Sequence, residues 1–122
     1  MSTVERILYV EDEEDIRAVA QLALESVGGF TLKSCASGEE ALREAEAFAP
    51  DLILLDVMMP GMDGPSTLHA LREIPALADV PVAFMTAKVQ PAEIEYFKSL
   101  GAREVIAKPF DPMTLAEQVR AI

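Results

Sequence analysis

Three short stretches hold residue types that could do chemistry together. Glu11-Asp12-Glu13-Glu14-Asp15 follows directly on the apolar Ile7-Leu8-Tyr9-Val10, Asp56 closes the apolar Leu52-Ile53-Leu54-Leu55, and Lys108 stands before Pro109 in Ala107-Lys108-Pro109-Phe110. An acid that ends a wholly apolar run and points toward other acids is costly to keep charged unless a cation is bound. Mg2+ suits such a pocket: it prefers octahedral oxygen coordination, keeps several waters and is commonly held by one or two carboxylates plus a phosphate. Glu11, Asp12 and Asp56 are the candidate ligands. Their three negative charges are balanced by one Mg2+ and the Lys108 ammonium. Thr86-Ala87 adds a hydroxyl donor and a small residue.

These residues meet only if the chain brings distant segments to one rim. Ile7-Leu8-Tyr9-Val10 reads as a first buried strand, followed by apolar Ile16, Val19, Ala20, Ala23 and Val27 at helical spacing, a helix that Gly28-Gly29 ends. A second strand, from about Phe30 to Cys35, leads to Ser37 and Glu40 at capping-box spacing ahead of Ala41, Leu42, Ala45 and Phe48. Leu52 to Leu55 is apolar on both alternating faces, as a central parallel strand requires. Val80 to Met85 and Glu104 to Ala107 read as strands four and five. Pro65, Pro91 and Pro112 each suit a helix's first turn, with Leu68 and Leu71, Ile94 and Phe97, and Leu115 and Val119 facing the core.

Five such alternations predict a (βα)5 chain folded as a doubly wound parallel α/β sheet, because right-handed crossovers place a helix between successive strands. For the flavodoxin-like strand order 2-1-3-4-5, the ligand crevice lies outside the carboxyl ends of strands one and three, where the order reverses. Glu11, Asp12 and Asp56 converge there, and Lys108, at the end of strand five, reaches the same rim. A helix N-terminus enriched in acids accounts for Glu13 to Asp15 without any further role. It does not account for Asp56.

Composition narrows the classes. The chain has 122 residues, 51% of them hydrophobic, which suits one domain spanning 1–122. A formal charge of -11 disfavours direct nucleic-acid binding. Its apolar runs are too short to span a bilayer, which argues against a membrane protein. One cysteine, Cys35, reads as a small buried hydrophobe. With no long apolar stretch at the N-terminus, the expected compartment is the cytoplasm. The lone His69 reads as a surface side chain, and the six methionines as packing residues, with Met58, Met59 and Met62 in the loop after Asp56.

Taken together, these stretches resemble the receiver domain of two-component response regulators from Arg6 to Ile122. The matching segments are Ile7 to Glu13, Asp51 to Gly64, Met85-Thr86-Ala87 and Ala107 to Phe110. The resemblance implies that Asp56 is the phosphoacceptor and that Asp12 and Asp56 bind Mg2+ with the Met58 backbone carbonyl, while Glu11 assists through water. It further implies that Thr86 and Lys108 contact the phosphoryl oxygens, beside Ala87, and that the Lys108-Pro109 peptide is cis. The implied donor is a phosphohistidine on a sensor histidine kinase or a histidine phosphotransfer protein. The implied output is a conformational change that regulates an unnamed downstream effector, with a phosphorylation-dependent dimer left open. The domain would act as a regulator rather than an enzyme, catalysing only its own phosphorylation and slow autodephosphorylation.

Two positions depart from the family pattern. Glu11 stands where many members have Asp, and Val105 where many carry Tyr or Phe, so an aromatic rotamer cannot couple to Thr86 as such. Two other readings compete. A haloacid-dehalogenase-like Mg-dependent phosphatase also uses a strand-end Asp, but Asp56-Val57-Met58 lacks its second acid. A receiver-like module that binds partners without phosphorylation would not need Asp56, Thr86 and Lys108 together.

Overall fold

The computed structural model describes residues 4–122. Strands β1 (Arg6–Val10), β2 (Thr31–Cys35), β3 (Leu52–Asp56), β4 (Val82–Thr86) and β5 (Glu104–Ala107) alternate with helices α1 (Glu14–Gln21), α2 (Gly38–Phe48), α3 (Gly64–Arg72), α4 (Pro91–Ser99) and α5 (Leu115–Arg120). The strands form one parallel sheet in the order β2-β1-β3-β4-β5, as the alternation predicts.

Strand alternation divides the core into two layers. Ile7, Tyr9, Leu52, Leu54, Ala83, Met85 and Ile106 face α1 and α5, against Ala20, Ala23, Leu24, Leu115 and Val119. Leu8, Val10, Ile53, Leu55, Val82 and Phe84 face the other way, against Ala41, Ala45, Leu68, Leu71 and Phe97 of α2, α3 and α4. Every residue of β3 is buried, which is why its sequence shows no polar alternation. Burying one such Leu or Ile side chain is worth roughly 1.5–3 kcal/mol.

Local signals set the helix starts. Ser37 Oγ accepts from the Glu40 N–H at 3.0 Å, and Glu40 Oε1 accepts from the Ala36 N–H at 2.9 Å, a capping box whose return bond lands one residue early. Pro65 lies in the first turn of α3 and Pro91 opens α4. Pro112 does not open α5. It sits in a turn organised by Asp111, whose side chain accepts from Met113 N–H and whose carbonyl accepts from Leu115 N–H, so the helix begins at Leu115. Strand four starts at Val82, past Pro81, and ends on Thr86 itself.

The first helix departs most from expectation. After α1 the chain widens into a π-helical segment, Leu22–Val27, closed by an i→i+5 bond from Gly28 N–H to the Ala23 carbonyl. The wider winding resets the phase of the apolar stripe. Ala20, Ala23 and Leu24 turn inward, whereas Val27 is 54% exposed and Val19, before the widened turn, 44%, so not every apolar residue at helical spacing faces the core. Ile94, also expected in the core, is half-buried, leaving Phe97 as the buried residue of α4.

Candidate functional site

Continued alternation past the strand ends selects which side chains share the rim. The backbone ladder extends beyond β1 through Glu11 N–H to the Cys35 carbonyl, and beyond β5 through Lys108 N–H to the Thr86 carbonyl. Glu11 therefore follows Ile7 and Tyr9 on the α1/α5 face, Asp56 follows Leu52 and Leu54, and Lys108 follows Ile106. Thr86 follows Val82 and Phe84 and belongs to the opposite face.

On that rim the Lys108 ammonium donates to Asp56 Oδ1 and to Glu11 Oε1, each at 2.8 Å. Glu11 and Asp56 are both buried. The second Glu11 oxygen accepts from the Glu13 N–H at 3.2 Å. Arg17, on α1, donates to the Glu11 carbonyl at 2.8 Å and fixes the helix beside the pocket. One carboxylate oxygen from each of Glu11, Asp12 and Asp56 lies within 4.8 Å of the others.

Burial pushes the Asp56 and Glu11 carboxyls above the usual range against the opposing pull of Lys108, and each is raised further by neighbouring acids. Burial would lower the Lys108 ammonium, but its hydrogen bonds to Asp56 and Glu11 outweigh that, and its pKa is raised. Two buried carboxylates share one lysine, so the pocket keeps an excess of negative charge. Hard oxygen donors with excess negative charge, in a half-open hollow, fit a Mg2+ ion that retains several of its waters.

That hollow, about 150 Å³, is lined by Glu13, Asp56, Met58, Thr86, Ala87 and Lys108. Thr86 Oγ1 accepts from the Lys88 N–H at 3.0 Å, tying the hydroxyl to the loop before α4. The Met58 side chain is 70% exposed and does not pack, unlike Met59, which is buried. The Lys108-Pro109 peptide is cis. Val105 packs partly buried against the α2/α3/α4 layer. His69 is exposed and Cys35 fully buried, its thiol pushed up to about 11 by burial first.

Sequence reasoning missed three contributors. Arg17 looked like one more charge on a helix surface. Gly64 lies so close beneath the acidic strand end that a Cβ there would stand 2.6 Å from the Asp56 carbonyl oxygen. Tyr9 places a phenol among the otherwise aliphatic buried residues of β1, and that polar atom was the available signal.

The response regulator receiver domain model matches residues 7–120. The chain belongs to the response regulator receiver family. This receiver is 35% identical, over its whole length, to the transcriptional regulatory protein CseB of Streptomyces coelicolor, covering 50% of that protein. It is 38% identical to the alkaline phosphatase synthesis transcriptional regulatory protein PhoP of Bacillus subtilis, covering 96% of this chain and 48% of the relative. The receiver thus spans about half the length of the curated relatives it matches. Among solved structures, chemotaxis protein CheY4 of Vibrio cholerae superposes with a TM-score of 0.89 at 29% identity, covering 98% of each chain. The receiver domain of a signal transduction histidine kinase from Syntrophus aciditrophicus superposes with a TM-score of 0.81 at 32% identity, covering 96% of this chain and 88% of the other. These matches support the receiver reading and lend none to the phosphatase alternative. Among the described residues no helix is long and apolar enough to cross a membrane.

Proposed function

We propose that the chain, as a single receiver domain over residues 1–122, accepts a phosphoryl group on Asp56 from a phosphohistidine. The observation that carries this is the Lys108 ammonium held between two buried carboxylates, Asp56 and Glu11, with Asp12 beside them. An Asp56 carboxylate oxygen attacks phosphorus in line with the departing imidazole. The new O–P bond makes an acyl phosphate, and the electron pair of the broken P–N bond leaves with the imidazole nitrogen. Such transfer asks for positioning and charge neutralisation rather than covalent help. Lys108 swings to a phosphoryl oxygen, and the Thr86 hydroxyl donates to another, with Ala87 leaving room beside it.

Asp12, Asp56 and the Met58 carbonyl would hold Mg2+, and Glu11 would hold one of its waters. When bound, the ion neutralises the transferring oxygens and the excess charge of the pocket. Receiver domains of response regulators act with histidine kinases and downstream effectors. For this chain we infer a cytoplasmic location and, as donor, a sensor histidine kinase or histidine phosphotransfer protein. An open apolar hollow of about 250 Å³, lined by Ile16, Val19, Pro109 and Phe110 beside Lys108, offers a protein donor a seat. The chain acts as a regulator, catalysing only its own phosphorylation and slow loss of the phosphoryl group.

Incubation with a small phosphodonor and Mg2+, followed by mass spectrometry, tests the assignment. One phosphoryl group on Asp56, abolished in Asp56→Asn and by chelator, is expected. Undiminished modification of Asp56→Asn overturns it.

A further inference from the structure

Tyr9 is fully buried, and its hydroxyl has no hydrogen-bond partner among the described residues. Its ring lies among aliphatic residues on the α1/α5 face of β1, where Phe would fill the same volume. A buried, unpaired hydroxyl is a liability, and native proteins retain few of them. This one sits two residues before Glu11 on the same face of the sheet, so the phenol lies within electrostatic reach of the Glu11 carboxylate, with Asp56 and Arg17 as its other charged neighbours, yet farther from Glu11 than a formed hydrogen bond.

In the resting structure Glu11 Oε1 accepts from Lys108 and Oε2 from the Glu13 N–H. The reading above requires Lys108 to turn toward a phosphoryl oxygen. That movement takes the ammonium from Oε1 and leaves room on this buried carboxylate for another donor beside a metal-bound water.

We propose that Tyr9 is a positioning residue whose hydroxyl donates to the Glu11 carboxylate when Lys108 leaves it, an inference that rests on the phosphoacceptor reading of Asp56. The phenol is thus a donor held in reserve. It stays unpaired in the resting state and is satisfied in the phosphorylated state, so it biases the equilibrium toward the latter. Throughout, Tyr9 acts as a neutral O–H donor, and no proton is transferred.

The test compares wild type with Tyr9→Phe, using beryllofluoride with Mg2+ as the phosphoryl mimic. Tyr9→Phe removes one oxygen and leaves the ring, so the mimic-free variant should melt at the same temperature as wild type or higher. Its beryllofluoride affinity should fall roughly tenfold, the worth of a hydrogen bond to a charged acceptor. In a Tyr96→Phe background Tyr9 is the remaining tyrosine, since the chain has two. Its near-ultraviolet absorption should shift to the red on adding the mimic, as a phenol donating to a carboxylate does. Unchanged affinity in Tyr9→Phe, a lower melting temperature of the mimic-free variant, or a silent Tyr9 spectrum overturns the inference. Failure of wild type itself to take the mimic or a phosphoryl group overturns the phosphoacceptor reading instead.

Discussion

The Lys108 ammonium stands 2.8 Å from Asp56 Oδ1, joining residues 52 positions apart in the chain. The same nitrogen holds Glu11, so one cation is shared by two buried anions. Truncation to Lys108→Ala leaves both carboxylates without it. Breaking a buried ion pair by removing one partner costs roughly 3 kcal/mol or more. We expect chelated Lys108→Ala to lose stability on that scale at neutral pH and to recover much of it with Mg2+. Denaturant unfolding with and without the ion measures both. The variant should still bind metal yet show a weaker spectral change on phosphorylation, and a wild-type change would contradict the role given to Lys108.

The pH dependence follows from the direction of the carboxyl shifts. Glu11 and Asp56 are raised above their ordinary values of 4.5 and 3.8, so each binds its proton more tightly folded than unfolded. Their contribution to stability is therefore greatest below the ordinary values and is lost as pH rises through the raised ones. Lys108, raised from 10.5, keeps its contribution throughout this window and loses it only in strong alkali. In chelator, Asp56→Asn should gain stability relative to wild type as pH climbs from about 4 toward neutrality. Thermal melts across that range test this, and a constant difference between the two proteins would refute it.

Gly64 tests how closely the loop after β3 must approach the acceptor. A Cβ at this position would meet the Asp56 carbonyl oxygen at 2.6 Å and the Val57 Cα at 2.9 Å, both backbone atoms that cannot swing aside. Gly64→Ala should cost about 2 kcal/mol by overpacking and slow phosphorylation of Asp56 by displacing its backbone. Normal stability and normal phosphorylation rate together would mean that the loop yields freely.

Output at strand five cannot depend on burying an aromatic ring, because position 105 is Val, with few rotamers and little volume. A phosphoryl group on Asp56 would instead draw the Thr86 hydroxyl from the Lys88 N–H that it now accepts from. The loop before α4 would shift, and Phe97, packed edge-on against Phe84 at 5.3 Å, would repack with Tyr96. Hydrogen exchange with beryllofluoride should change within residues 86 to 100. An unaltered α4, or loss of all response in Val105→Ala, would count against this route.

The sheet and the pocket were legible in the sequence for physical reasons that also explain the misses. Buried parallel strands must be apolar on both faces, so β1 and β3 stood out, and an acid closing each marked the rim. The capping pair Ser37 and Glu40 and the prolines at α3 and α4 act within a few residues, where local chemistry decides. The π-helical turn after α1 has no such local mark. It ends at Gly28, so close to α5 that a Cβ there would stand 2.9 Å from the Ala116 Cβ, a tertiary approach that a periodicity count does not include. Pro112 misled because Asp111 captures the following turn first. The link between Arg17 and the Glu11 carbonyl was likewise unreadable, since nothing in an exposed-looking helical arginine declares its partner.

Thr86 faces one layer of the core while Asp56, Glu11 and Lys108 face the other, and the fully buried β3 between the layers works as a wall. The side chains of the two sides meet over the top of that wall, where the hollow joins Asp56 and Lys108 to Thr86. The two halves of the interior are then thermodynamic strangers. A cavity cut at Leu54 and another at Leu68 should sum in their effect on unfolding, as distant sites do, while a change at the rim is felt by both.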